Sequence, residues 1–220
     1  AYYVELKASL DPKNIDWQIE AGDFLYEYLA HYGRALEIYG DALDYSLEHY
    51  GDYHPYTATL YDNIGTVYYY QGDYANALKY YQKALAIYES VLEENHPDTA
   101  TSYINIGLVY HSQGDYAEAL KYLNKALAIC EKVLGENHPD TATSYNNIGS
   151  VYDSQGNYVE ALKYYQKALA IYERVLDENH PLTATSYNNI GSVYDSQGNY
   201  AEALKYYEKA LAICEKVLGE

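Results

Sequence analysis

Apolar positions along this chain recur at spacings of three and four, and the pattern restarts at a fixed interval. Between Pro139 and Ser154, Tyr145, Ile148, Gly149 and Tyr152 form one stripe. From Tyr158 a second stripe runs through Ala161, Leu162, Tyr165, Ala168, Leu169, Tyr172, Val175 and Leu176. Residues three and four apart share one face of an α-helix, so each stripe predicts an amphipathic helix. Lys163, Lys167 and Glu173 fall on the wet side. Gln155-Gly156-Asn157 between the stripes reads as a turn. Asp177-Glu178-Asn179 closes the unit.

The interval is marked by His-Pro pairs beginning at His54, His96, His138 and His180, each 42 residues after the last (96 − 54, 138 − 96, 180 − 138). Proline is tolerated in the first turn of a helix, where its missing N–H would be unpaired anyway. The blocks starting at 138 and 180 differ at six compared positions, and Ser144–Tyr158 returns unchanged as Ser186–Tyr200. A period of this size predicts stacked helical hairpins, each too thin to bury both of its stripes alone. The expected units are 54–95, 96–137, 138–179 and 180–220. A diverged copy spans 12–53, where Ala35-Leu36 and Ala42-Leu43 keep the frame while Asp11-Pro12 and Gly33 stand out of register. Residues 1–11 read as the end of a preceding second helix, and the C-terminal end reads as open.

The pattern Tyr145-x2-Ile148-Gly149-x2-Tyr152, followed by Ala161-x3-Tyr165 and Ala168, resembles the tetratricopeptide repeat, with tyrosine replacing the usual tryptophan and phenylalanine. The longer second helix and the His-Pro-Asp-x-Ala opening are similar to the 42-residue repeats of kinesin light chains and bacterial relatives. The resemblance implies an all-α, right-handed solenoid whose first helices line a concave wall. It also implies protein–protein recognition rather than catalysis.

Composition narrows the partners. Fourteen basic and 32 acidic residues leave a net charge of −18. Such a chain lacks the clustered cations that nucleic acid and anionic membrane surfaces require, so a neutral or basic peptide or protein fits better. No apolar run approaches the ~20 residues of a membrane span, and no leader-like segment opens the chain. These features make the cytoplasm the default expectation. Tyrosine is abundant, 33 of 220 residues against one Phe and one Trp. Its simplest use is packing between helices with the hydroxyl reaching a polar partner.

On the first helices, the arc opposite the core stripe is the candidate groove. An asparagine recurs there in every block, as Asn63, Asn105, Asn147 and Asn189. A carboxamide can pair with both the C=O and the N–H of an extended peptide. Neighbouring helices pack about 10 Å apart, which matches three residues of a strand rising about 3.3 Å each. In proteins of the resembled family an asparagine ladder grips ligand backbone, which implies the same for these four. Specificity would come from the variable groove positions Asp62, Thr66, Tyr69 and Tyr70, then Ile104, Leu108 and His111, and then Asn146, Asp153, Asn188 and Asp195. Tyr69, Tyr70, Ile104 and Leu108 are the candidate anchors.

Other signals point elsewhere. Histidines one repeat apart stand too far from one another for one zinc ion, whose ligands lie about 2 Å away, so no metal is expected and the His-Pro pair reads as a helix cap. Cys130 and Cys214 are two repeats apart, beyond the ~7 Å reach of a disulfide. No nucleophile–base pair or phosphate loop stands apart from the repeat, so neither an enzyme nor a cofactor is expected. The competing expectation is structural, either end-to-end self-association or a spacer arm in a larger protein.

Overall fold

The structure is a computed structural model and describes residues 9–93, 95–177 and 179–219. Among these residues it contains ten helices and no strand: α1 (Ile15–Glu27), α2 (Tyr32–His49), α3 (Pro55–Tyr70), α4 (Tyr74–Val91), α5 (Pro97–Ser112), α6 (Tyr116–Val133), α7 (Pro139–Ser154), α8 (Tyr158–Val175), α9 (Pro181–Ser196) and α10 (Tyr200–Leu218). They form two compact units, Ala1–Gln113 and Gly114–Glu220. In the first, α1 to α5 pack in chain order, and α3 also touches α1 and α5. In the second, α6 to α10 do the same, and α7 also touches α9. Most of the segment read as a preceding helix, residues 1–8, lies outside the described residues.

The His-Pro pairs start helices by a mechanism the residue types explain. His54, His96, His138 and His180 are N-caps with extended backbone, and each side chain accepts from the N–H two residues on. The imidazole Nδ1 receives these bonds at 3.1–3.2 Å. One of the orphan donors of the first turn is thereby satisfied. The proline after it supplies a preset φ and has no N–H to orphan. In the diverged hairpin α1 begins only at Ile15, and Asn14 caps it by accepting from Trp17 N–H at 3.1 Å. The turns that follow α3, α5, α7 and α9 each pass through glycine with φ between +73° and +78° (Gly72, Gly114, Gly156, Gly198), a left-handed conformation that side chains disfavour.

Close packing inside a hairpin rests on one glycine–tyrosine pair. A Cβ on Gly149 would meet the Tyr165 ring at 2.7 Å, and one on Gly65 the Tyr81 ring at 2.8 Å. The second-helix ring therefore lies directly on the first-helix backbone, and its hydroxyl reaches past it. Tyr81 donates to Thr66 Oγ1 at 3.0 Å, and Tyr39, seated on Gly22, donates to Asp23. Other tyrosines serve the joints between hairpins. Tyr103, Tyr145 and Tyr187 donate to Glu89, Glu131 and Glu173 of the preceding helix. A third set stacks in pairs, Tyr68–Tyr80, Tyr152–Tyr164 and Tyr194–Tyr206, with centroids 5.5–5.6 Å apart. Lys83, Lys167 and Lys209 lie over Tyr61, Tyr145 and Tyr187 at 4.6–5.1 Å, each a cation–π contact. The tyrosine excess is thus spent largely on rings in the core with hydroxyls at its edge.

Candidate functional site

The candidate residues occupy the first helices α1, α3 and α5 of one unit and α7 and α9 of the other. Asn63, Asn105, Asn147 and Asn189 are all half-buried. Asn105 is engaged, its Nδ2 donating to Asp62 Oδ2 at 3.0 Å. The side chains of Asn63, Asn147 and Asn189 make no hydrogen bond among the described residues. The three carboxamides therefore keep donors and acceptors available at one register of the repeat.

Asp62 is the electrostatic singularity of the first unit. It sits between α3 and α5, and burial pushes its carboxyl up to about 6 despite the opposing influence of Asn105 and Ser102. Its Oδ1 is buried without a hydrogen-bond partner, and so is Ser102 Oγ beside it. One repeat pair later the same two positions hold Asn146 and Ser186, and there Asn146 Nδ2 donates to Ser186 Oγ at 3.1 Å. Asn146 Oδ1 is buried without a hydrogen-bond partner, so the side chain lies between helices rather than on an open surface. Thr66 is likewise committed, donating to Asp62 O at 3.1 Å and accepting from Tyr81.

At the C-terminal ends of the first helices in the first unit the surface is aromatic. Tyr69 and Tyr70 touch edge to face at 5.8 Å, and Tyr70 meets Tyr26 at 5.8 Å. Tyr69 shares a hydrogen bond of 3.1 Å with Ser112 Oγ. Tyr26, Glu27, Ala30, Tyr32 and Tyr70 enclose a depression of about 300 Å³. The Tyr26 hydroxyl donates to Glu27 Oε1 at 3.1 Å, so the carboxylate is fixed at the rim. An adjoining hollow of about 450 Å³ on α1 is edged by Asp16, Glu20, Asp23 and Glu27. Rings with a carboxylate beside them suit a cationic or amphipathic side chain. Tyr26, Glu27 and Tyr32 escape the sequence reading because they belong to the diverged hairpin. The available signal is that Tyr26 stands 42 residues before Tyr68, and Glu27 42 before Tyr69.

Ile104, Leu108 and His111 are half-buried on α5, and burial lowers the His111 pKa. In the second unit Asp153 is half-buried with its carboxyl raised by desolvation, and Asn188 and Asp195 are exposed. The groove surface there is polar. Among the described residues no three His, Cys, Asp or Glu side chains converge as metal ligands, and no helix is long and apolar enough to cross a membrane.

Helical hairpins repeated at 42 residues, capped by His-Pro and packed glycine against tyrosine, define a tetratricopeptide-type helical repeat. The tetratricopeptide repeat profile matches residues 22–90, 56–132, 98–174 and 154–216, and the chain belongs to that family. The fold is similar to that of BtubC (BKLC) from P. vanneervenii, with a TM-score of 0.80 and 22% identity over 100% of this chain and 88% of that one. A putative kinesin light chain from Podosopora anserina with nearly identical TPR-like repeats gives 0.76 and 22% over 95% and 99% of the two chains. A Rap protein complexed with Competence and Sporulation Factor gives 0.76 and 22%, covering 90% of this chain and 53% of that one. No curated protein matches the chain in sequence.

Proposed function

We propose that this chain is a non-catalytic recognition scaffold that binds an extended, neutral or basic peptide along its first helices. The observation that carries the reading is the set of carboxamides on Asn63, Asn147 and Asn189, half-buried and without partners among the described residues. Each can take up one C=O and one N–H of a ligand backbone. Asn105 contributes to position instead, because Asp62 already holds it. Specificity comes from the tyrosines. The depression between Tyr26, Tyr32 and Tyr70 receives one side chain, and Glu27 gives preference to a cation. Tyr69, Ile104 and Leu108 extend the apolar contact along α3 and α5, with His111 beside them. Asp153, Asn188 and Asp195 present a polar, acidic surface in the second unit. A tetratricopeptide-type fold solved with a bound signalling factor, as in the Rap complex, supports this use of the architecture.

The test is binding to an array of extended peptides that vary in charge. Neutral and basic members are expected to bind and acidic ones not, with affinity falling as salt rises. For a binder so found, Asn147→Ala weakens affinity by about tenfold, the worth of roughly one to two hydrogen bonds. Tyr70→Ala weakens only ligands with a basic or aromatic residue at the matching position. An unchanged affinity for Asn147→Ala and Asn189→Ala together removes the ladder from the reading.

A further inference from the structure

The turn between α1 and α2 departs from the later interhelix turns, and the departures meet at one place. Gly22 and Tyr39 stand 17 residues apart (39 − 22), whereas Gly65 and Tyr81, the same packed pair one hairpin on, stand 16 apart (81 − 65). The first turn thus carries one extra residue. It closes from His31 N–H to Leu25 O, a span of six residues, where Asp73 N–H closes the next turn onto Tyr68 O over five. Just before the cap, Ala30 takes φ +51°, the one positive φ outside glycine among the described residues, and Gly72, Gly114, Gly156 and Gly198 hold that place later. A side chain is kept there at a cost that glycine avoids, and Ala30 lines the depression of about 300 Å³. Backbone strain of this kind collects at binding sites. Tyr70 is the third departure, since Ser112, Ser154 and Ser196 occupy its position in the following blocks. At the next joint Tyr69 and Ser112 share a hydrogen bond of 3.1 Å, while at this one Tyr26 meets Tyr70 ring to ring, centroids 5.8 Å apart. Tyr70 is 58% exposed, so its ring is a wall rather than core.

Among the described residues the lining of this depression is three phenol rings, one carboxylate and one alanine, with no basic side chain. Ring faces attract cations, most strongly where water is excluded, and the carboxylates that edge the adjoining hollow on α1 add to the attraction. Counting donors decides which cation fits. A lysine ammonium brings three N–H donors and is strongly hydrated, and a guanidinium brings five. Glu27 is the one charged acceptor, and its Oε1 already takes the Tyr26 hydroxyl at 3.1 Å. Each methyl group on an ammonium removes a donor and adds apolar contact for the rings and for Ala30. A dimethylammonium keeps a single N–H, which the remaining Glu27 oxygen matches.

We propose that Tyr26, Tyr32 and Tyr70, with Glu27 and Ala30, form an aromatic cage for a methylated lysine side chain, dimethyllysine above all. The lysine belongs to a bound extended peptide, so the proposal rests on the peptide-binding reading. The depression continues through the edge-to-face contact of Tyr70 with Tyr69 onto the first-helix surface of the same unit. A four-carbon stem lets the ammonium enter while the peptide backbone stays on that surface.

Single-residue amides, which lack the backbone length of a groove ligand, test the cage apart from the asparagines. Nα-acetyl-lysine amide, its Nε-dimethyl and Nε-trimethyl forms and Nα-acetyl-arginine amide are titrated into the full chain and followed by their side-chain protons in ligand-observed NMR. The dimethyl form is expected to bind about tenfold more tightly than the lysine and arginine amides, the scale of a cation–π contact, with the trimethyl form between. Tyr70→Ser, the residue of the later blocks, is expected to abolish that preference and Tyr70→Phe to keep it, both with unchanged helical circular dichroism. Glu27→Gln removes the advantage of dimethyl over trimethyl. In a peptide that binds, dimethylating the matching lysine raises affinity by the same factor, and Tyr70→Ser removes only that increment. Equal binding of lysine and dimethyllysine amides, or a preference that survives Tyr70→Ser, overturns the cage and leaves the groove to be judged by the peptide array. A methyl preference in a chain that binds no peptide of the array makes the ligand a free methylated amine and overturns the peptide as its source.

Discussion

Asp62 is where one side chain departs most from what its neighbours would do. At the equivalent place the second unit has Asn146, which gives a hydrogen bond to Ser186, whereas Asp62, a carboxylate that accepts from Asn105, leaves Ser102 Oγ unpaired; the Oδ1 is buried and unpaired in both. A carboxyl with a folded pKa of about 6 against an ordinary value of 3.8 binds its proton more tightly in the native state. Its contribution therefore favours folding most below about pH 4, declines as pH rises to about 6, and stays unfavourable above that. Asp62→Asn restores the Asn146–Ser186 arrangement and removes the titration. The expected result is a gain of about 1–3 kcal/mol in unfolding free energy at pH 7.5 that shrinks toward zero near pH 4, measured by denaturant unfolding of both proteins across that range. This pairing was not legible in the chain. The sequence places Asp62 and Asn105 at groove positions and does not single out Ser102, and which of them pair across α3 and α5 depends on side-chain directions that spacing does not encode.

At the scale of the element, the helices and their order follow from a few letters that repeat. The His-Pro pair sets the start of α3, α5, α7 and α9, a left-handed glycine sets the turn after each of them, and a glycine–tyrosine contact sets the distance within α1–α2, α3–α4, α7–α8 and α9–α10. His138→Ala removes the acceptor for the Asp140 N–H and is expected to cost about 1 kcal/mol in thermal or denaturant unfolding, while His138→Asn, itself a good cap, recovers most of it. The diverged hairpin α1–α2 was legible only in part. Ala35 and Ala42 keep the frame and are buried as expected. The helix start was not, because Asp11-Pro12 suggests one register and the working cap is Asn14. The aromatic depression was missed for the same reason, since two of its three tyrosines and its carboxylate lie in or beside this hairpin, where the match to the later blocks fades.

For the molecule as a whole, the charge of −18 and the tyrosine content act together. The acids outnumber the cations 32 to 14, while tyrosine provides core rings, hydroxyls for the joints and the aromatic patch of the first unit. The near-copy of residues 138–179 in 180–220, with six differences, has a kinetic side. Helix α10 offers α7 almost the same surface as its own partner α8 does, so a refolding chain has two nearly equivalent ways to close and a neighbouring molecule offers a third. Such degeneracy favours exchanged hairpins when chains fold close together. Refolding at increasing protein concentration, followed by size-exclusion chromatography, is expected to yield a growing dimer fraction. Substituting a differently sized pair for Gly191 and Tyr207 in the last hairpin is expected to suppress it. The uniformity that makes this architecture easy to extend by duplication also leaves it with no internal means of telling one copy from the next.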